Sequence, residues 1–387
     1  MASGYSINGS SLDDLYVRRE FFSEGNLWSW GANEVGQLGD NTAVDRSSPV
    51  QTIAQGISWK QVAAGAQVSA VIKTDGTLWL YGRNDLGQLG DNTTVNKSSP
   101  VQTVSAGTNW KQVACGYQTA AIKTDGTLWL WGSGDSGQIG NNSTLNRSSP
   151  VQTISGGTNW QQVSCGLYTT AAIKTDGTLW LWGLNSLGQL GDNSGTNKSS
   201  PVTTTGAGGS NWKQIVSATQ GTAAIKTDGT LWRWGNNQYG QFGDNTTVSK
   251  SSPVQTVSAG TDWKQVSLIS SGQATAAIKT DGTLWAWGRN SYGQLGDNTN
   301  VNKSSPVQTV AGGTTWKQVS GAANFNAVSG IKTDGTLWTW GRSFTGQLGD
   351  NTNTSRSSPA QIAGPGNAFW KQVSFGDRHA AAVSDLY

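Results

Sequence analysis

The sequence predicts an all-β chain: a seven-bladed β-propeller closed by pairing of its N- and C-terminal strands in one blade. Three observations predict it. A block of the type KTDGTLWLWG recurs along the chain, with the first Trp of its seven copies at positions 28, 79, 129, 180, 232, 285 and 338, so the spacing is 50 to 53 residues. All 20 Trp fall on three positions of that repeat. The chain starts partway through one copy and stops partway through another. Repeats of this length build stacked or radial arrays, and seven units lie within the four-to-eight range of propellers.

Each unit reads in a fixed order. LWxWG comes first, then GQLGDNT, a basic residue with SSP, VQTV, a turn, WKQV, a Gly-containing turn and TAAIK. In TLWLWG, Trp129 and Trp131 fall on one side of a strand and Leu128 and Leu130 on the other, so both faces are apolar and both are covered. TDG is a tight hairpin turn in which Gly126 takes positive φ. TAAIK is its partner strand, and WKQV and PVQTV complete four short strands. No segment combines helical periodicity with caps. A four-stranded sheet of this size cannot bury two faces alone; radial stacking between neighbours does so, and closing the ring removes exposed ends. A buried Trp takes roughly 150–250 Å² out of water, worth about 4–6 kcal/mol gross. Ordering entropy of the same total order opposes the sum. The first copy, GNLWSWG from Gly25, lacks a preceding TAAI strand, while the C-terminal HAAAVSDLY lacks a following LWxWG. Joining Ala380–Ser384 to Leu27–Trp30 completes one blade from both termini. The propeller therefore spans 25–387, and residues 1–24 form a separate arm.

Composition removes several classes. Charged residues are 13% of the chain, against 52 Gly and 20 Trp, so a disordered polyelectrolyte or charge-laced coiled coil is excluded. The start shows no secretory signal and no apolar run is long enough for a membrane span, so membrane insertion is not expected. Net charge is +3. Two Cys exclude a disulfide framework; Cys115 and Cys165 share one repeat position and read as small buried thiols. One His, His379, sits in the closing strand, which leaves no base for a nucleophilic triad. The recurring Asp of TDG is turn chemistry. The GDN carboxylates lack the acidic ladder of an EF-hand calcium site. Neither an enzyme nor a cofactor or metal site is expected. A basic residue precedes SSP in every unit (Arg46, Lys97, Arg147, Lys198, Lys250, Lys303, Arg356), but the nearby GDN acids offset it, so nucleic acid is not expected as a partner.

The order LWxWG, GQLG, Pro, Val, Gly and a small-residue strand resembles the regulator of chromosome condensation repeat, a family of seven-bladed propellers, from Gly25 to about Val383. The family often carries a His after the Gly of the strand turn; here only GDRHAAAV does. The resemblance implies nucleotide exchange or chromatin binding as one functional class. The Trp content is similar to that of the family's plant ultraviolet photoreceptor, but no unit has the GWRHT loop motif that photoreception would require. The arm followed directly by LWSWG resembles, over a short stretch, tailed-phage virion proteins that carry these repeats.

Chain direction sorts the loops. With TDG at the bottom, the WG-to-SSP connection and the turn after the second Gly both lie on top. TDG is the same in six units, whereas the top loops differ between units, so the top face is expected to carry specificity. Units five to seven place Tyr239, Arg289, Tyr292, Phe325, Arg342, Phe344 and Arg378 there, and aromatics beside Arg suit an anionic, glycan or protein surface. The arm places Leu12, Leu15, Tyr16, Arg18, Arg19, Phe21 and Phe22 in a segment expected to dock on a protein assembly. The expected function is a non-enzymatic structural, adhesion or protein-interaction propeller, in a phage virion or the cytoplasm, with host-surface glycan or protein on the top face. The alternatives are a guanine-nucleotide exchange or chromatin-binding propeller and a glycan-binding one.

Overall fold

Alternation and turn chemistry produce the strands. The computed structural model of the protein describes residues 25–385 except 54–57, 106, 207–208, 258–259 and 365–367; the arm, 1–24, lies outside them. Within the described residues the chain forms seven antiparallel four-stranded sheets. The terminal strands are β1 (Asn26–Gly31) and β2 (Arg46–Gln51). Blade 1 follows as β3 (Trp59–Ala64), β4 (Val68–Lys73), β5 (Leu78–Gly82) and β6 (Lys97–Gln102). Blades 2 to 6 repeat this order over residues 110–152, 160–203, 212–255, 263–308 and 316–361. Blade 7 is shared by the termini: β27 (Phe369–Phe375) and β28 (His379–Asp385) pair with β1 and β2 in the order β2-β1-β28-β27. The pairing is the expected one, and its register sets Leu27 opposite Val383 and Trp30 opposite Ala380. A blade is thus offset from the sequence unit, beginning at WKQV and ending at SSPVQ.

The outer strand carries the prolines. Leu80 pairs with Val101 and Gly82 with Lys97, so Ser98–Pro100 bulge opposite Tyr81. Pro is tolerated there because an edge strand does not need every amide.

Packing between blades follows the Leu/Trp alternation. Leu78 and Leu80 of blade 1 pack on Trp110 and Trp131 of blade 2, and Leu128 and Leu130 of blade 2 pack on Trp160 and Trp182 of blade 3. The two indoles meet edge-on, with centroids 6.1 Å apart for Trp110 and Trp131. The second Trp of each pair is fully buried and its Nε1 donates to the GQLG loop of the preceding blade, as Trp131 does to the Gln88 carbonyl at 2.8 Å. That loop explains its glycines. Gly90 has φ +64°, and a Cβ there would stand 2.7 Å from Trp131 Nε1.

The first Trp departs from simple burial. Trp79, Trp129, Trp180, Trp232, Trp285 and Trp338 are only half-buried at the bottom of the ring. There the KTDGT sequence organises them. Lys73 Nζ lies 5.0 Å from the ring of Trp59 and 4.9 Å from that of Trp79. Thr77 caps Asp75 and accepts from Trp79 Nε1 at 2.9 Å.

The ring is closed by more than its termini. The Gln of each WKQV strand reaches the Val or Ile of the next inner strand. Gln61 Nε2 donates to the Val113 carbonyl, and Gln61 Oε1 accepts from the Val113 amide, both at 3.1 Å. The amide of the following blade's Val or Ile bonds in the same way to Gln112, Gln162, Gln214, Gln265 and Gln318. Gln372 completes the circle on Val62. Each carboxamide stands in for a neighbouring strand, so the innermost edges are not left unpaired.

Candidate functional site

The top face is built from two loop families that the hairpins hold at fixed places. In every blade the residue after the central strand's Gly bonds back to the inner turn: Arg289 N to the Gln273 carbonyl, Arg342 N to that of Asn326, and Ala32 N to that of Arg378. This bond sets side chains of successive loops beside one another. In blades 4 to 7 those side chains are the ones the sequence singled out. Arg289 lies 5.4 Å from the Tyr239 ring of the preceding blade. Arg342 is surrounded by three rings, Tyr292 and Phe325 at 4.8 Å and Phe344 at 4.3 Å. Arg378 meets Phe325 at 4.8 Å, and Tyr292 and Phe344 pack edge-on at 6.2 Å. Phe344 remains 53% exposed. All seven residues therefore join one arc, in two groups: Tyr239–Arg289, and Tyr292–Phe344–Arg342–Phe325–Arg378. Six of them are half-buried against neighbouring loops.

A second cluster was missed. Tyr117 and Tyr168 pack with their rings tilted and centroids 5.1 Å apart, and Arg83 lies 5.5 Å from Tyr117. The same signal, an aromatic at the inner turn, was present in GYQT and GLYT. Arg83, however, is bound through two hydrogen bonds of 2.7 Å to Asp85, which neutralises it.

The arc rests on an unusual inner loop. Blade 5 turns through Ser270–Gly272, with Ser270 at φ 54° and Ser271 at φ 61°, a region that non-glycine residues seldom adopt. The turn bonds to its neighbour: Ser270 N to the Ala322 carbonyl, and Ser271 Oγ to Asn324 Oδ1 at 2.7 Å. From the other side Arg233, fully buried, donates to the Gly272 carbonyl and to Thr275 Oγ1, both at 2.9 Å. Equivalent positions in blades 1 to 3 hold Leu80, Leu130 and Leu181.

Other chemistry is locked in structural bonds. His379 is fully buried, with Nε2 2.9 Å from Ser69 Oγ, and Ser69 donates to the Gln37 carbonyl. Burial lowers its pKa to about 4. Cys115 is buried and its thiol is pushed up to about 12 by burial; Cys165 lies in the same central channel, and both thiols are free. Asp40 Oδ1 accepts from Thr42 and Asn33, and its Oδ2 binds Arg46 at 3.0 Å. The same loop pair recurs as Lys97–Asp91, Lys198–Asp192, Lys303–Asp297 and Arg356–Asp350. Among the described residues no group of three His, Cys, Asp or Glu side chains is placed to hold a metal ion.

Comparison with known proteins agrees with the fold. The RCC1-like domain matches residues 21–274, and the regulator of chromosome condensation (RCC1) repeat matches 281–329 and 334–383. The chain belongs to the RCC1 repeat family. Among RCC1-family relatives, the ultraviolet-B receptor UVR8 of Arabidopsis thaliana is 30% identical over 340 residues, covering 86% of this chain and 77% of the receptor. The E3 ubiquitin-protein ligase HERC2 of Homo sapiens is 26% identical over 282 residues, 72% of this chain but only 5% of the ligase. The crystal structure of Prp20p from Saccharomyces cerevisiae, described with its binding properties to Gsp1p and histones, superposes with a TM-score of 0.84 at 17% identity over 95% of this chain and 92% of that one. Human WBSCR16 gives 0.81 at 20% identity, covering 94% and 99%. These two likenesses show the fold alone.

Proposed function

We propose that this RCC1-family chain is a non-enzymatic protein-interaction propeller that docks a partner on its top face across blades 4 to 7. The observation that carries this reading is the arc itself. It is assembled from loops of four blades on the face where copies differ, while the bottom turns repeat. Aromatic and Arg side chains dominate the energetics of protein interfaces, and here rings fix the guanidiniums before a partner arrives.

The test is site-specific photocrosslinking with a benzophenone side chain at position 344 or at the bottom-face position 125. Adducts formed with one defined protein from position 344 alone support the reading. Adducts from position 125 alone, or from neither, refute it. An exchange factor for a small GTPase is the second functional class; accelerated nucleotide release by the purified chain would establish it. The virion role rests on residues 1–24 alone, and the named plant, human and yeast relatives lend it no support.

A further inference from the structure

Charge distinguishes the arc from the rest of the top face. On the outer loops Arg46, Lys97, Lys198, Lys303 and Arg356 lie within ion-pair distance of GDN carboxylates, Arg147 and Lys250 being the exceptions, and Arg83 is bound to Asp85. Among the described residues neither Arg289 nor Arg342 has a carboxylate within ion-pair distance, and Arg378 has only Glu34, at 3.7 Å. Arg289 is occupied by Gln273 Oε1 and Ser291 Oγ. Arg342 has no hydrogen-bond acceptor for its buried Nε, and neither does Arg378. Asp377, next to Arg378, is half-buried; burial raises its carboxyl above its ordinary value, and the Arg378 guanidinium opposes that rise. Stacking on aromatic rings occupies the faces of a guanidinium and leaves its N–H edge free for a bidentate acceptor.

Geometry limits the ligand further. Arg342 and Arg378 each lie 4.8 Å from the centroid of the same ring, Phe325, so the two cations are within twice that distance of one another. Alternate residues of an extended strand are about 6.6–7 Å apart and project to one side. Beside the pair, Phe344 offers an exposed ring.

We propose that the arc takes an extended acidic segment of a partner protein, with carboxylates at alternate residues on Arg342 and Arg378 and an apolar side chain on Phe344. This rests on the protein-docking reading and adds the chemistry of the partner.

The probe is a fluorescein-labelled peptide Glu-Ser-Glu-Ser-Phe, which projects both carboxylates and the ring to one side when extended, compared with its Gln-Ser-Gln-Ser-Phe counterpart by fluorescence anisotropy against the full chain at low salt. The acidic peptide should bind at least tenfold more tightly and weaken as salt rises. Arg342→Gln and Arg378→Gln should each cost about tenfold, and Arg83→Gln, outside the arc, should cost nothing. Near-ultraviolet circular dichroism of each variant checks the fold, and Arg342→Lys supplies a second variant that keeps the charge but loses the fork, with an intermediate loss. Equal binding of the two peptides, unchanged affinity in both arc variants, or preference for a DNA duplex that the same variants abolish would each overturn the acidic-segment proposal. If crosslinking places a protein at position 344 while these variants leave its binding unchanged, the docking reading stands and the acidic one fails.

Discussion

Replacing His379 by Gln tests the seam where the ring is joined. The imidazole is buried between blade 7 and blade 1, and Ser69, its partner, already donates its proton to the Gln37 carbonyl. Nε2 must therefore carry the hydrogen, and Nδ1 is left buried without a partner. Adding a second proton would place a charge in a fully buried site, and that burial outweighs the backbone hydrogen bond to Val68, which accounts for a pKa lowered from 6.5 to about 4. Between those two values the unfolded chain binds a proton that the native ring does not, so stability falls as pH drops through the window and rises as pH climbs. At 1.36 kcal/mol per pH unit the difference amounts to about 3 kcal/mol by pH 4. Gln is a fair substitute because Gln118 fills the matching place in blade 2, where it bonds to the carbonyls of Gly166 and Thr169 and to Thr170 Oγ1. Urea unfolding of both proteins from pH 7.5 to 4 is the assay. Every other titrating group is shared, so the wild type should lose about 3 kcal/mol more than His379→Gln. Parallel stability curves would show that the histidine is not held neutral at the seam.

Further expectations concern the ring. Gln372→Leu strands the Val62 amide and should cost roughly 1–3 kcal/mol; Gln112→Leu, remote from the termini, should cost the same, and a free-energy comparison in urea would expose any special weakness of the joint. Trp131→Ala should lose about 3–5 kcal/mol, against distinctly less for the half-buried Trp129, with equal losses contradicting the packing described. Gly90→Ala forces a Cβ against the Trp131 indole at positive φ and should destabilise by more than about 1 kcal/mol. Gly195, with its nearest neighbour at 3.9 Å, should accept Ala almost silently, and melting temperatures of the pair provide the check.

Local pattern was enough to specify the strands, the turns, the number of blades and which terminal segments pair. Those features depend on patterns within about ten residues, repeated seven times, and on the fact that the two incomplete ends complete each other. The sequence also placed aromatic residues and Arg in the top loops. Tertiary structure decided how they meet. Arg342 and its three rings come from loops of two blades, and Arg378 reaches Phe325 from a third; their proximity is set by the curvature of the ring, which no local pattern encodes. The same holds for the Gln circle, whose repetition was visible but whose bonds exist only because adjacent inner strands approach within reach of one carboxamide. It holds as well for the paired Trp, identical in alternation yet unequal in burial, because one lies at depth between blades and the other at the bottom rim.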